Sequence, residues 1–389
     1  MSDTRDTVAG VPAAALAGII ATVAVFAISQ GLSYPLLSFL LHKQGIEPAM
    51  IGLSAAMTPL GFVASSFVIP TISRMVGPAR FAVVSALIAA ALLVVIGLFQ
   101  NIWLWFPLRF LLGFFANPLY VISETWMVAV TPSEKRGRIL GVYTSMISVG
   151  FAAGPLTLAV VGTDGWPPFA VGVITLLLCV LCLLAALPRL PAIPVEEGHG
   201  SVLSFIRLAP LMLGAVFVAA AFEQIVLSLF SIYGAAQGSS EARVALLLAM
   251  FVAGNIAFQI PLGWMAERFG AVTMMGLCAF GGALGCLLLP FIFDSPLVWP
   301  MTFAWGAAAF SVYTMALILL GERFSGAMLI IGNSAFAVFW GTGGIIGPPV
   351  AGLMMDVMGI QGLPLTLGIL CGGLALAVLL STRTACAPA

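Results

Sequence analysis

Long apolar runs separated by short polar breaks make up nearly the whole chain. A bilayer span needs about 20 mostly apolar residues. Twelve runs meet that length: roughly 13–41, 49–72, 80–99, 102–130, 139–162, 168–188, 207–236, 242–266, 271–292, 297–320, 327–355 and 363–382. The longest break is 189–206, and the weakest is the pair Gln100-Asn101, which leaves the third and fourth runs open to being joined. No break has room for a folded domain. The run length predicts helices, because barrel strands need only about 10 residues and alternate in polarity.

Composition excludes whole classes of function. Hydrophobic residues are 62% and charged residues 7% of the 389, against about 25% charged in an ordinary soluble protein. Mean hydropathy is +1.18. Such a surface is not one for water, so a soluble enzyme, a nucleic-acid binder and a disordered chain are excluded. The 42 glycines and 24 prolines are normal in membrane helices, where neighbours satisfy freed backbone groups. Six cysteines are scattered, mostly in apolar runs. They imply no disulfide framework, and Cys179 and Cys182, inside a span, read as packing. The apolar run that follows the polar residues 1–12 is too long for a signal peptide.

Net charge is zero, from 14 basic and 14 acidic residues, so placement carries the information. With the N-terminus inside, Arg5, Arg74, Arg80, Lys135, Arg136, Arg138, Arg189, Arg207, Arg268, Arg323 and Arg383 fall on inner segments. Only Lys43 and Arg243 fall on outer ones. Basic residues favour the cytoplasmic side. The expectation is a multi-pass protein of the inner (plasma) membrane with both termini cytoplasmic.

The chain also matches itself at an offset of 193–194. Gln30 pairs with Gln224, Arg74 with Arg268, Pro107 with Pro300, Phe110 with Phe303, Gly113 with Gly306 and Tyr120 with Tyr313. Gly154-Pro155 pairs with Gly347-Pro348. A common offset over four pairs of spans points to a parallel duplication of six helices, as in secondary transporters built from two like halves. The predicted architecture is an all-α membrane protein. It has an N-terminal half over 1–188, a cytoplasmic linker over 189–206 and a C-terminal half over 207–389.

These residues resemble the major facilitator superfamily over the whole chain. Gly263-Trp264-Met265-Ala266-Glu267-Arg268-Phe269-Gly270 is similar to that family's inner-loop motif, with glutamate for aspartate. The first-half copy at Ser73-Arg74-Met75-Val76-Gly77 is degraded: serine replaces the acid and one residue is inserted. Arg109 and Gly113 resemble the span-4 motif. Gly150-x-x-x-Gly154-Pro155 resembles the span-5 motif. Glu124, Trp126, Arg136, Arg138 and Tyr143 resemble the YcaD-like branch. The resemblance implies alternating access, with Glu267 and Arg268 holding the halves together when the outside is open. The Gly150/Gly154 and Gly343/Gly347 pairs permit close helix approach. Pro155 and Pro348 bend their helices; these motifs read either as packing alone or as a hinge or proton seal.

Of the 14 acids and 14 bases, only Arg109, Glu124 and Glu223 lie well inside spans. Such groups face a cavity or one another. Arg109, Gly113, Asn117, Tyr120 and Glu124 share one helix face by their spacing. Arg109 and Glu124 are some 22 Å apart along it, too far to pair. Arg109 is read as a counter-ion for an anionic solute or a coupling carboxylate, or else as a buried structural arginine. Glu124 is expected in the first-half latch, answering Arg74, or in the cavity, or else simply solvated near the inner end of its helix. Glu223, near the middle of its span, is the candidate substrate or proton site, or else a hydrogen-bonded structural acid.

In the resembled fold the cavity is lined by spans 1, 4, 7 and 10, with 5, 8 and 11 adding to it. Here those spans bring Gln30, Ser33, Tyr34, Asn117, Tyr120, Gln224, Trp305 and Tyr313, then Tyr143, Asn255, Gln259, Asn333 and Trp340. A few hydrogen-bonding groups among aromatics suit a planar organic solute. The expected function is secondary transport of a small ring-containing solute, by proton coupling or down its own gradient. Uptake of a vitamin-like nutrient such as a flavin is slightly favoured over proton-coupled export of drugs or metabolites. No cofactor, metal or nucleic-acid partner is expected, and a monomer is the default. A membrane enzyme lacks a gathered Ser, His and acid. A non-transporting receptor on the same fold is the other class.

Overall fold

The computed structural model describes residues 13–131, 136–189 and 202–385. Among these there is no strand. The first half holds α1 (Ala13–Lys43), α2 (Pro48–Val76), α3 (Pro78–Leu98), α4 (Ile102–Val130), α5 (Arg136–Val161) and α6 (Pro167–Ala186). A short helix, α7 (Val202–Leu208), precedes the second half. That half holds α8 (Pro210–Ala236), α9 (Glu241–Phe269), α10 (Ala271–Ile292), α11 (Val298–Arg323), α12 (Gly326–Met358) and α13 (Gly362–Ala385). Twelve of the described helices are long and apolar enough to cross a membrane.

Local chemistry sets the breaks. The weak Gln100-Asn101 break separates two helices because the Asn101 side chain caps α4, accepting from Trp103 N at 2.9 Å, an N-cap role that asparagine favours. Pro48, Pro78, Pro167 and Pro210 open their helices, where a missing N–H costs nothing. Gly77 and Gly270, 193 residues apart, both take φ of 85°, a conformation glycine adopts freely. They turn α2 into α3 and α9 into α10 in the same way. The seventh span starts at Pro210 and not at 207, because the chain breaks at Ala209 (φ −138°, ψ 50°). Most of the expected linker lies outside the described residues.

The duplication seen in the sequence is a duplication of packing. In the first half α1 crosses α5 and α2 crosses α4; in the second, α8 crosses α12 and α9 crosses α11. Glycines make each crossing close. A Cβ on Gly61 or Gly113 would overlap the carbonyl of Phe110 or Thr58 on the partner helix. One on Gly254 or Gly306 would overlap that of Phe303 or Phe251. Between the halves, α2 packs on α12 and α5 on α9, two contacts that the 193-residue offset interchanges.

Candidate functional site

A cavity of about 810 Å³ lies between the two halves. From the first half, α1 contributes Gln30 and Tyr34, and α2 contributes Phe62, Val63 and Ser66. Asn117, Tyr120 and Glu124 come from α4, and Ile147 and Phe151 from α5. From the second half come Ala219, Glu223 and Gln224 of α8, and Asn255 and Gln259 of α9. Phe310, Tyr313 and Thr314 of α11, with Asn333, Ala337, Trp340 and Gly341 of α12, complete the wall. The volume is that of a pocket for a drug-sized molecule.

The cavity opens toward the side where α1 begins and α13 ends. Glu124 and Asn333, near that end of their helices, are both lining and exposed. The far side is shut. Lys43, at the end of α1, pairs with Asp164 at 2.8 Å and with Glu241 of the other half at 2.7 Å. Thr163 accepts from Lys43 and donates to Glu241. Asp356, ending α12, accepts from the backbone N of Ala49 at 3.1 Å, satisfying a free donor at the start of α2. Beneath these contacts Gly52 meets the Pro348 carbonyl and Gly352 the Pro48 carbonyl, with no room for a side chain. Deeper still, Gly344 meets Pro59 and Gln224.

Among the described residues two carboxylates are the only charged groups in the wall. Among the described residues neither Glu223 nor Glu124 has a hydrogen bond or an ion pair. Tyrosines fill the space around them. Tyr313 lies within electrostatic range of both, and Tyr34 and Tyr120 within range of Glu223. Tyr143 is buried outside the wall, beside Glu124. Gln224 is buried with no partner for Oε1. Asn117 is held: its Nδ2 shares its two hydrogens among Phe62 O at 3.0 Å, Ser65 Oγ at 2.8 Å and Ser66 Oγ at 3.0 Å. Phe62 and Trp340 bring parallel rings from opposite halves, 10° between planes and 6.5 Å between centroids. Tyr120 stands edge-on to Phe62.

Several expected residues sit elsewhere. Arg109 is 1% exposed and outside the wall. Its Nη1 meets Ser54 Oγ at 3.5 Å and its Nε has no partner. Tyr34, which lines the cavity, is within electrostatic range of Arg109 and Glu223 alike. Trp305 is core, donating to Gly282 O at 2.9 Å and packed on Phe222 and Phe251. Trp126 is buried with Nε1 unpartnered. Glu124 faces the cavity instead of Arg74, whose Nε bonds Pro70 O at 3.3 Å. Glu267 and Arg268 are exposed on the open side, Arg268 over the Phe269 ring. The side chains of Arg136 and Arg138 lie outside the described residues. Gly154 packs its backbone on Gly31 and Leu32 of α1, and Gly347 packs on Ala221 of α8. Pro155 and Pro348 follow directly, inside α5 and α12.

The wall also holds residues that sequence reasoning passed over: Phe62, Ser66, Phe310, Phe151 and Thr314. The repeat held a signal for three of them. At an offset of 193, Phe62 answers Asn255, Ser66 answers Gln259 and Phe310 answers Asn117.

Two like six-helix halves around one polar cavity, shut on one side and open on the other, define a membrane transporter of the alternating-access class. The profile of the Major Facilitator Superfamily matches residues 19–214 and 211–386, and the chain belongs to that superfamily. The uncharacterised MFS-type transporter YfkF of Bacillus subtilis (strain 168) is 27% identical over 346 residues, 87% of this chain and 88% of that one. The uncharacterised MFS-type transporter YcaD of Salmonella newport (strain SL254) is 24% identical over 286 residues, 73% and 74% of the two chains. The crystal structure of the nucleoside transporter NupG superposes with a TM-score of 0.78 at 15% identity, covering 95% of this chain and 99% of that one. That likeness is one of fold.

Proposed function

We propose that the protein moves a small, ring-containing organic solute across the inner membrane by alternating access, with Glu223 as the coupling carboxylate and the termini cytoplasmic. The observation that carries this reading is the mid-depth cavity between the halves, closed on the far side by contacts that cross from one half to the other. Solute enters from the open side and meets polar groups and aromatic rings from both halves. Transfer then requires the Lys43–Glu241 and Asp356–Ala49 contacts to part while the open ends of the helices close. Each monomer encloses a complete pathway. A flavin-sized planar nutrient is compatible with the aromatic lining. The exporter reading draws on the carboxylates, since a carboxylate that takes either a proton or a solute links the two.

The test is counterflow in proteoliposomes with radiolabelled ring solutes, with and without an imposed pH gradient. Saturable flux is expected, and Glu223→Gln should abolish its response to the gradient. Locking the far side with a cleavable thiol-to-thiol cross-linker between Lys43→Cys and Glu241→Cys, in a background free of the native cysteines, should stop flux, and cleavage of the linker should restore it. Undiminished flux through the locked protein would rule out alternating access.

A further inference from the structure

The charge on the cavity wall is all of one sign among the described residues. Among these residues its only charges are Glu223 and Glu124, and no lysine, arginine or histidine lines it. Glu223 has no donor among the described residues. The neighbouring Gln224 Oε1, 2% exposed, is an acceptor left empty. Buried acceptors are normally satisfied, and leaving one unpaired is costly. Arg109 does not answer them: it lies outside the wall, and its side-chain hydrogen bond is to Ser54. A ligand bearing several N–H donors and a positive charge completes this pair.

The second half of the site is aromatic. Phe62 and Trp340 lie parallel, one from each half. Trp340 is one turn from Gly344, whose position abuts Gln224. The aromatic pair and the Gln224 amide therefore line the same stretch of the wall. Rings attract a cationic or electron-poor ligand through their faces.

We infer that the solute is a protonated arylalkylamine: its ammonium group donates to Glu223 and Gln224, and its ring lies against Phe62 and Trp340. This rests on the transport reading above and names its substrate class. Glu124, exposed at the mouth, is the first station for the same charge.

The test holds the ring fixed and changes the head group. Full-length protein in proteoliposomes is offered tryptamine, N,N,N-trimethyltryptammonium, tryptophol and indole-3-propionate, and, on a second ring, phenethylamine and 2-phenylethanol. Saturable binding and uptake of both primary amines is expected, about tenfold or more over the neutral and anionic analogues, the gain of a charge-assisted hydrogen bond. The quaternary analogue, without N–H, should bind several-fold more weakly than tryptamine. Glu223→Gln should erase the amine preference, and Gln224→Leu should weaken amine binding while keeping the preference over indole-3-propionate. If Glu223→Gln does not fold, the head-group series on the unaltered protein decides. Equal or better binding of tryptophol or indole-3-propionate overturns the inference, as does no saturable binding of either amine. Uptake of the neutral analogues alone overturns the amine class and leaves the transporter standing. If neither series moves through folded protein while another ring solute does in the counterflow assay, the amine class falls and the transport reading stands; if no ring solute moves, both fall.

Discussion

Lys43 at the end of α1 and Glu241 at the start of α9 meet at 2.7 Å across the boundary between the two halves. Neither residue touches the cavity. Their contact, with Asp164 and Thr163 beside it, holds the far side closed. The 193-residue offset gives the partner contact: Thr163 corresponds to Asp356, which caps the start of α2. One end of the molecule is thus tied twice, once at each copy of the same helix junction.

Removing the lysine should loosen this end without unfolding the protein. A partly exposed ion pair contributes about 1 kcal/mol or less, which is a population shift of up to about fivefold. In Lys43→Gln, a cysteine at Tyr34, in a background free of the native cysteines, should react about two to five times faster with an impermeant thiol reagent added from the far side. The charge swap Lys43→Glu with Glu241→Lys should bring the rate partway back. An unchanged rate in the single variant would mean that the backbone contacts alone hold the gate.

The glycine crossings should be intolerant of even one methyl group. At Gly113 and Gly306 a Cβ overlaps a carbonyl of the facing helix, and overpacking costs about 1–3 kcal/mol. Gly113→Ala and Gly306→Ala are expected to lower Tm by several degrees in detergent. Gly263→Ala is the control. Nothing lies within 4 Å of its added Cβ, and alanine is favoured over glycine in a helix by about 1 kcal/mol, so Tm should hold or rise.

Much of this architecture is legible in the sequence because it depends on length, polarity and repetition. The twelve spans follow from run length, and the twofold packing follows from Gly113 and Gly306 sharing a register. The cavity wall was legible where polar residues interrupt apolar faces, as at Gln30, Asn117, Glu223, Gln224, Asn255 and Asn333. Phe62 and Phe310 were not, because an apolar ring toward a cavity and one toward lipid look alike in a pattern. Trp305 failed for the opposite reason: its indole N–H finds the Gly282 carbonyl in the core, so its polar handle needs no cavity. Arg109 shares a helix face with Glu124, yet it stands about 12 Å beyond Asn117 along α4. Spacing gives the face but does not say where the cavity ends. The far-side ties join residues more than 70 positions apart, which no local pattern reports.

Asn117 is expected to act on solute through its neighbours. Its amide fixes Ser65, Ser66 and the Phe62 carbonyl, so it sets the position of a ring that faces Trp340. Asn117→Ala leaves the Ser65 hydroxyl and the Phe62 carbonyl without this donor, at about 1–3 kcal/mol. A drop in Tm together with a several-fold rise in KM is expected, with the maximal rate less affected. A normal KM in a destabilised variant would make Asn117 purely structural.

Arg109 poses a sharper test, because stability and function pull in opposite directions. Its guanidinium is 1% exposed, bonds Ser54 at 3.5 Å and leaves Nε unpaired. It has no carboxylate partner among the described residues. A charge buried with so few bonds costs several kcal/mol of desolvation, and an apolar residue of similar volume is often neutral or stabilising in its place. Arg109→Met should therefore hold or raise Tm. Flux should nonetheless fall at least about tenfold, if the arginine finds its partner only when the far side opens and Tyr34 moves away; that loss corresponds to about 1.4 kcal/mol or more. The two readouts separate the alternatives. A stable protein without flux marks Arg109 as a residue of the opposite state. A marked fall in Tm marks it as a structural arginine, and unaltered flux in a stable variant removes it from the transport cycle.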